Sequence, residues 1–242
     1  MKNLLLAGCS HSTGYGLDSS TPAWYDIIGE QFNYNITNVA LNGSSVDYSI
    51  QSISDNIINK DYDLVIFQLT TLNRFTLPVD GEAPFLYGDI TNFQYNTNGL
   101  LHLCEAHHAD AINDKINDFD IVPEIVKFIY QKVTLSRYHI NSLINRIHFI
   151  QSFLDSKNIK LALVPYDDYD WGNKSRRSIW NLEESKKIDK KYYVDYPFMQ
   201  WLKDNYNPED YYIDKGFHLG AEGQKLFAYE YLIPRLTELN IL

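Results

Sequence analysis

Leu4-Leu5-Leu6-Ala7-Gly8-Cys9-Ser10-His11-Ser12-Thr13-Gly14-Tyr15-Gly16, close to the N-terminus, is the stretch whose reading decides the fold. An apolar run without alternation is what a central parallel strand needs, because both of its faces are covered. The run stops at a Gly-X-Ser turn and gives way to glycines, which predicts a tight loop presenting Ser10 at the carboxyl edge of the strand. In open α/β sheets that edge is where ligands bind.

Downstream, the pattern repeats. Thr21-Pro22 supplies an N-cap and a first-turn proline, and Trp24, Ile27, Ile28 and Gln31 follow at helical spacing to about Phe32. Ile36 to Leu41 predicts a second strand, closed by the turn-forming Asn42-Gly43-Ser44-Ser45. Val46 to Ile58 carries Ile50, Ile53, Ile57 and Ile58 on one helical face, and Asp63 to Leu69 is the clearest strand of the chain. Strand, helix, strand, helix, strand predicts a doubly wound parallel sheet. After an irregular stretch, Ser136 to Ser156 is an amphipathic helix and Ile159 to Val164 a fourth parallel strand. Tyr211 to Asp214 predicts a short edge element, and a final helix runs from about Ala221 to Leu236. Two segments, 75–135 and 166–210, are rich in Pro, Gly, Asn, Asp and aromatic residues. Structureless loops of that length are uncommon unless functional, so both are expected to form a lid over the site within a single domain. No internal repeat or low-complexity tract is visible.

Composition bounds the function. The chain has 242 residues, a formal net charge of -10 and a pI near 5.1. That balance argues against nucleic acid, whose binding requires clustered Lys and Arg to displace counterions, and against anionic membranes. No apolar stretch approaches the roughly 20 residues of a membrane helix. Leu6-Ala7-Gly8-Cys9 has the form of a lipoprotein cleavage site, but only eight residues precede Cys9, fewer than a secretory signal needs. A cytoplasmic location and free thiols at Cys9 and Cys104 are therefore expected. The 19 Tyr and 12 Phe must pack inside or line a binding surface.

Four short blocks in fixed order resemble the SGNH (GDSL-type) hydrolase superfamily. Gly8-Cys9-Ser10 stands where that family has Gly-Asp-Ser. Asn38-Val39-Ala40-Leu41-Asn42-Gly43 matches its Asn followed five residues later by Gly. Thr70-Thr71-Leu72-Asn73-Arg74 corresponds to its Gly-X-Asn-Asp, with the glycine missing and Arg74 in place of the acid. Asp214-Lys215-Gly216-Phe217-His218, followed by Gly220 and Gly223, resembles its Asp-X-X-His with one extra residue. The resemblance covers the core and leaves both irregular segments unmatched. It implies a three-layer α/β/α flavodoxin-like fold and a serine esterase acting without a cofactor. Ser10 is then the nucleophile, His218 the base and Asp214 its orienting acid. Ser10, Gly43 and Asn73 form the oxyanion hole, with Thr70 or Arg74 as alternative donors; Thr70, Arg74 and His11 are candidate substrate contacts. A small acyl ester is the implied substrate, such as an O-acetyl group on a carbohydrate.

Other readings stand beside this one. An acyltransferase uses the same residues. A catalytically silent SGNH-like glycan- or protein-binding module accounts for the eroded third block. Cys9 is read as a small packed residue rather than a thiol nucleophile, because alternation sends Cys9 and Ser10 in opposite directions. His102-Leu103-Cys104-Glu105-Ala106-His107-His108-Ala109-Asp110 offers metal-ligand chemistry without a recognised spacing, and is read as a polar exposed loop or lid, with a metal site as the alternative.

Overall fold

The computed structural model of the chain describes residues 1–70, 75–78, 83–84, 95–96, 100–103, 137–166, 183–214 and 218–242. Its centre is a four-stranded parallel sheet made of β1 (Lys2–Ala7), β2 (Tyr34–Asn38), β3 (Leu64–Leu69) and β4 (Lys160–Pro165), in the order β2-β1-β3-β4. Leu4 pairs with Ile36 on one side and Leu64 on the other, and Leu64 pairs with Lys160. The continuous apolar runs are explained by burial on both faces, since all six residues of β3 are buried.

Alternation along the strands sorts the core into two layers. Leu4, Leu6, Leu64, Ile66, Ala162 and Val164 face a layer with Trp24, Phe198, Phe227 and Tyr231. Leu5, Ala7, Val65, Phe67, Leu161 and Leu163 face a second layer with Ile50, Ile53, Ile144 and Ile147. The first layer is closed by α1 (Trp24–Phe32) and the C-terminal helices, the second by α2 (Val46–Asn59) and α3 (Arg137–Ser156). Helices on both faces of a parallel sheet give the three-layer α/β/α architecture expected.

Several boundaries differ from expectation for local reasons. The helix before β2 ends at Asn33, whose left-handed conformation (φ 58°) turns the chain at once into a strand beginning at Tyr34 rather than Ile36. Helix α1 begins at Trp24, not in the Thr21-Pro22 turn: the Asp26 carboxylate accepts the Ala23 N–H at 2.9 Å, and Gln224 Oε1 accepts the Trp24 N–H at 2.9 Å. Tyr211 to Asp214 forms no edge strand of the main sheet. It contributes one antiparallel bridge, Tyr212 to Leu219, while Tyr193 makes a parallel bridge with Leu163 beside β4.

Part of the segment 166–210, expected as lid, packs into the core. Ile188, Tyr192, Tyr193 and Val194 are buried, and so are Phe198, Met199, Trp201 and Leu202 on α4 (Phe198–Asn205). Their apolar side chains lie too irregularly in sequence to show a period, yet they close the sheet beside β4. Residues 167–182 lie outside the described residues. In the segment 75–135, Phe75–Pro78 pairs antiparallel with Leu100–Leu103, and Ala83–Pro84 with Tyr95–Asn96; the remainder of that expected lid lies outside the described residues.

The C-terminal helix runs as α5 (Ala221–Leu226), a π-helical stretch Phe227–Leu232 and α6 (Ile233–Glu238). A Cβ on Gly223 would lie 2.8 Å from the Tyr211 carbonyl, so glycine is what lets this helix start against the preceding loop. Among the described residues no helix is long and apolar enough to cross a membrane.

Candidate active site

At the carboxyl edge of β1 the chain turns through a single 3₁₀ turn, Ser10–Ser12. Ser12 N–H donates to the Cys9 carbonyl at 2.8 Å, and the Trp24 indole N–H donates to the His11 carbonyl at 3.0 Å. Asn38, at the end of β2, donates its amide to the Ser12 carbonyl at 2.7 Å. The turn is therefore gripped from α1 and from β2. Ser10 is buried apart from about one-twentieth of its surface.

The loop before α5 meets this turn. His218 Nε2 lies 2.9 Å from Ser10 Oγ, and His218 Nδ1 lies 2.7 Å from Asp214 Oδ2. The other Asp214 oxygen accepts the His218 backbone N–H at 3.1 Å, so the carboxylate grips main chain and ring together. The four-residue separation of Asp214 and His218 thus allows the acid to reach Nδ1. A carboxylate at Nδ1 fixes the tautomer in which Nε2 is free to take a proton from the serine hydroxyl. The Asp214 side chain is one-third exposed, that of His218 much less.

Gly43 is buried and adopts φ +72°, a conformation that favours glycine. Its loop is tied to the serine turn at Gly8, whose carbonyl accepts the Leu41 N–H at 3.1 Å and the Ser44 hydroxyl at 2.9 Å. Among the described residues neither the Ser10 nor the Gly43 N–H donates to a backbone carbonyl. Thr70 directly follows β3 at the same sheet edge, and its hydroxyl is buried with no hydrogen-bond partner among the described residues. Asn73 and Arg74, the other candidate donors, lie outside the described residues, as do Cys104 to Asp110 of the histidine-rich stretch. No cluster of three or more metal-ligating side chains occurs among the described residues. Cys9 is a buried free thiol, packed as expected.

An aromatic column missed in the sequence flanks the pair. The Tyr15 ring lies 4.5 Å from that of His218, His11 lies 4.9 Å from it, and Tyr166 stacks on His11 at 3.7 Å and 15°. His11, a candidate substrate contact, therefore forms a wall of the site beside the imidazole. The legible signal was the position of Tyr166 one residue past β4, at the same edge as the serine.

No protein-family profile matches the sequence, and a search of curated protein sequences gives no match. Solved structures do match along nearly the whole chain. TesA superposes with a TM-score of 0.56 at 14% identity, over 98% of this chain and 99% of its own. Axe2, an acetylxylan esterase from Geobacillus stearothermophilus, gives 0.53 at 14% identity, over 98% and 94%. A member of the lipolytic protein G-D-S-L family from Veillonella parvula gives 0.51 at 15% identity, over 98% and 96%. The fold of this chain is that of the SGNH hydrolases.

Proposed function

We propose that the protein is a serine esterase of SGNH type that removes a small acyl group, an O-acetyl group on a carbohydrate being the preferred candidate. The observation that carries this reading is the continuous chain from Ser10 Oγ through His218 to Asp214, with separations of 2.9 and 2.7 Å. A serine hydroxyl is inert until a base takes its proton, and an imidazole held by a carboxylate is that base. Support also comes from the folds it resembles, among them the acetylxylan esterase Axe2.

In this mechanism Ser10 Oγ attacks the ester carbonyl as His218 Nε2 accepts its proton. Asp214 holds the imidazole in register and stabilises the imidazolium. The Ser10 and Gly43 N–H groups and the Asn73 side chain receive the developing oxyanion, each donor being worth roughly 3–4 kcal/mol. His218 then returns the proton to the departing alcohol oxygen; a water deprotonated by the same imidazole attacks the acyl carbonyl, and the acid leaves as the imidazolium returns that proton to Ser10 Oγ. The same residues serve an acyltransferase when an alcohol takes the place of that water.

The reading is tested by acetate release from acetylated xylooligosaccharides and from p-nitrophenyl acetate. Release by the wild type that is abolished in folded Ser10→Ala supports an esterase. Absence of release from every acetyl ester tried, with the protein folded, favours the catalytically silent binding module.

A further inference from the structure

Gln68 is the one polar residue of the six in β3, and it is 1% exposed. Its side chain reaches across to the end of β1. Gln68 Oε1 accepts the Cys9 N–H at 3.3 Å and the Ser12 hydroxyl at 2.8 Å, one bond on each side of Ser10, and the Cys9 thiol lies 3.5 Å away. A backbone N–H can only donate, so the oxygen of the amide must be the atom that faces the turn. The amide nitrogen, Gln68 Nε2, is consequently buried with no hydrogen-bond partner among the described residues.

The approach also dictates the neighbouring glycine. A Cβ on Gly8 would lie 2.7 Å from both Gln68 Oε1 and Ser12 Oγ. The Gly8 carbonyl in turn accepts from Leu41 and Ser44, on either side of Gly43. One hydrogen-bonded unit therefore joins the central strand, the serine turn and the Gly43 loop.

We propose that Gln68 is a positioning residue: its amide oxygen clamps both flanks of Ser10 and so fixes the serine hydroxyl relative to His218. The kinetic part of this inference rests on the esterase reading above. Misplacing a reacting group by about 1 Å costs up to about 100-fold in rate. Gln68→Met, which keeps the length and deletes the acceptor, is expected to lower kcat on p-nitrophenyl acetate about 10- to 100-fold. KM should stay within about twofold, because a clamp on the nucleophile acts on the chemical step. Gln68→Glu keeps an acceptor oxygen, since burial favours the neutral carboxyl, and is expected to recover most of the loss. Should Gln68→Met not fold, Ser12→Ala removes one arm of the clamp, and a fall in kcat with unchanged KM supports the proposal.

Amide hydrogen exchange across residues 8–13 supplies a readout independent of activity. Faster exchange in Gln68→Met at an unchanged global melting temperature supports the clamp. Unchanged exchange, or unchanged kcat in folded Gln68→Met or Ser12→Ala, overturns it. A wild type without esterase activity defeats the functional reading, and the exchange result then decides the role of Gln68 alone.

Discussion

Ser10 Oγ and His218 Nε2 lie 2.9 Å apart although 208 residues separate them in the chain. The sheet explains how. Strand β1 occupies an inner position, so its carboxyl edge opens at the middle of the domain, and the C-terminal helices pack on the first layer beside α1. Gln224 bolts the two together: its Oε1 accepts the Trp24 N–H and its Nε2 donates to the Leu219 carbonyl, one residue past His218. His218→Ala is expected to lower kcat about 10²–10⁴-fold. The melting temperature should stay close to that of wild type, since the histidine contributes one edge of the site and none of the core. Ester hydrolysis and thermal unfolding on the same preparation check both halves of this statement.

Asp214→Asn should cost less than the about 10⁴-fold seen for a buried triad aspartate. The Asp214 carboxylate is one-third exposed, so water replaces part of what it supplies, and its bond to the His218 backbone N–H survives through the amide oxygen. The loss should fall on kcat rather than KM, as steady-state kinetics will show. A KM increase with unchanged kcat would instead place Asp214 in substrate binding.

Gly16→Ala is expected to damage the site from outside it. Gly16 adopts φ +79°, and a Cβ there would collide with the Ile213 side chain, which also packs against Gly220. Ile213 adjoins Asp214, so pushing it away displaces the acid and the histidine bonded to it. The left-handed conformation alone costs about 1–2 kcal/mol for a residue with a side chain. Reduced kcat together with a lowered melting temperature is the expected outcome.

Stability should fall as pH rises above about 10, the ordinary tyrosine value. Burial pushes the Tyr25, Tyr34 and Tyr231 phenols upward, most of all Tyr231, which is fully buried and donates to the Tyr196 carbonyl at 2.6 Å. The unfolded chain gives up these protons near pH 10 while the folded chain keeps them. The stabilisation is therefore complete below that pH and is lost as pH climbs toward the folded-state values. Denaturant midpoints at pH 8 and pH 11 measure the drop, and Tyr231→Phe should make it smaller.

Strands β1, β3 and β4 were legible because they are apolar runs, and α2 and α3 because they show an isoleucine and leucine period; burial on two faces and on one face write those patterns directly, whereas β2, Tyr34 to Asn38, is mostly polar and half-exposed and its start was misplaced. The serine, histidine and aspartate were legible because each sits at a turn that ends or precedes a regular element. What escaped has physical reasons. The 183–205 stretch buries Tyr192 and Val194 around short turns that leave no period, and Phe198 and Trp201 on α4, a helix of eight residues that is too short to repeat its apolar face more than once. The Tyr15–His218–His11–Tyr166 column joins residues from three separate loops. Gln68 was visible as a polar residue inside a buried strand, but what it bonds depends on the register of β1 against β3, which composition does not carry.

The most direct test of the account is covalent labelling by a serine-directed fluorophosphonate, read by intact mass and peptide mapping. Stoichiometric modification of Ser10 in the wild type, lost in Ser10→Ala and in His218→Ala, is the predicted result. An unlabelled wild type of native fold, or labelling that persists in His218→Ala, would contradict the claim that His218 activates Ser10.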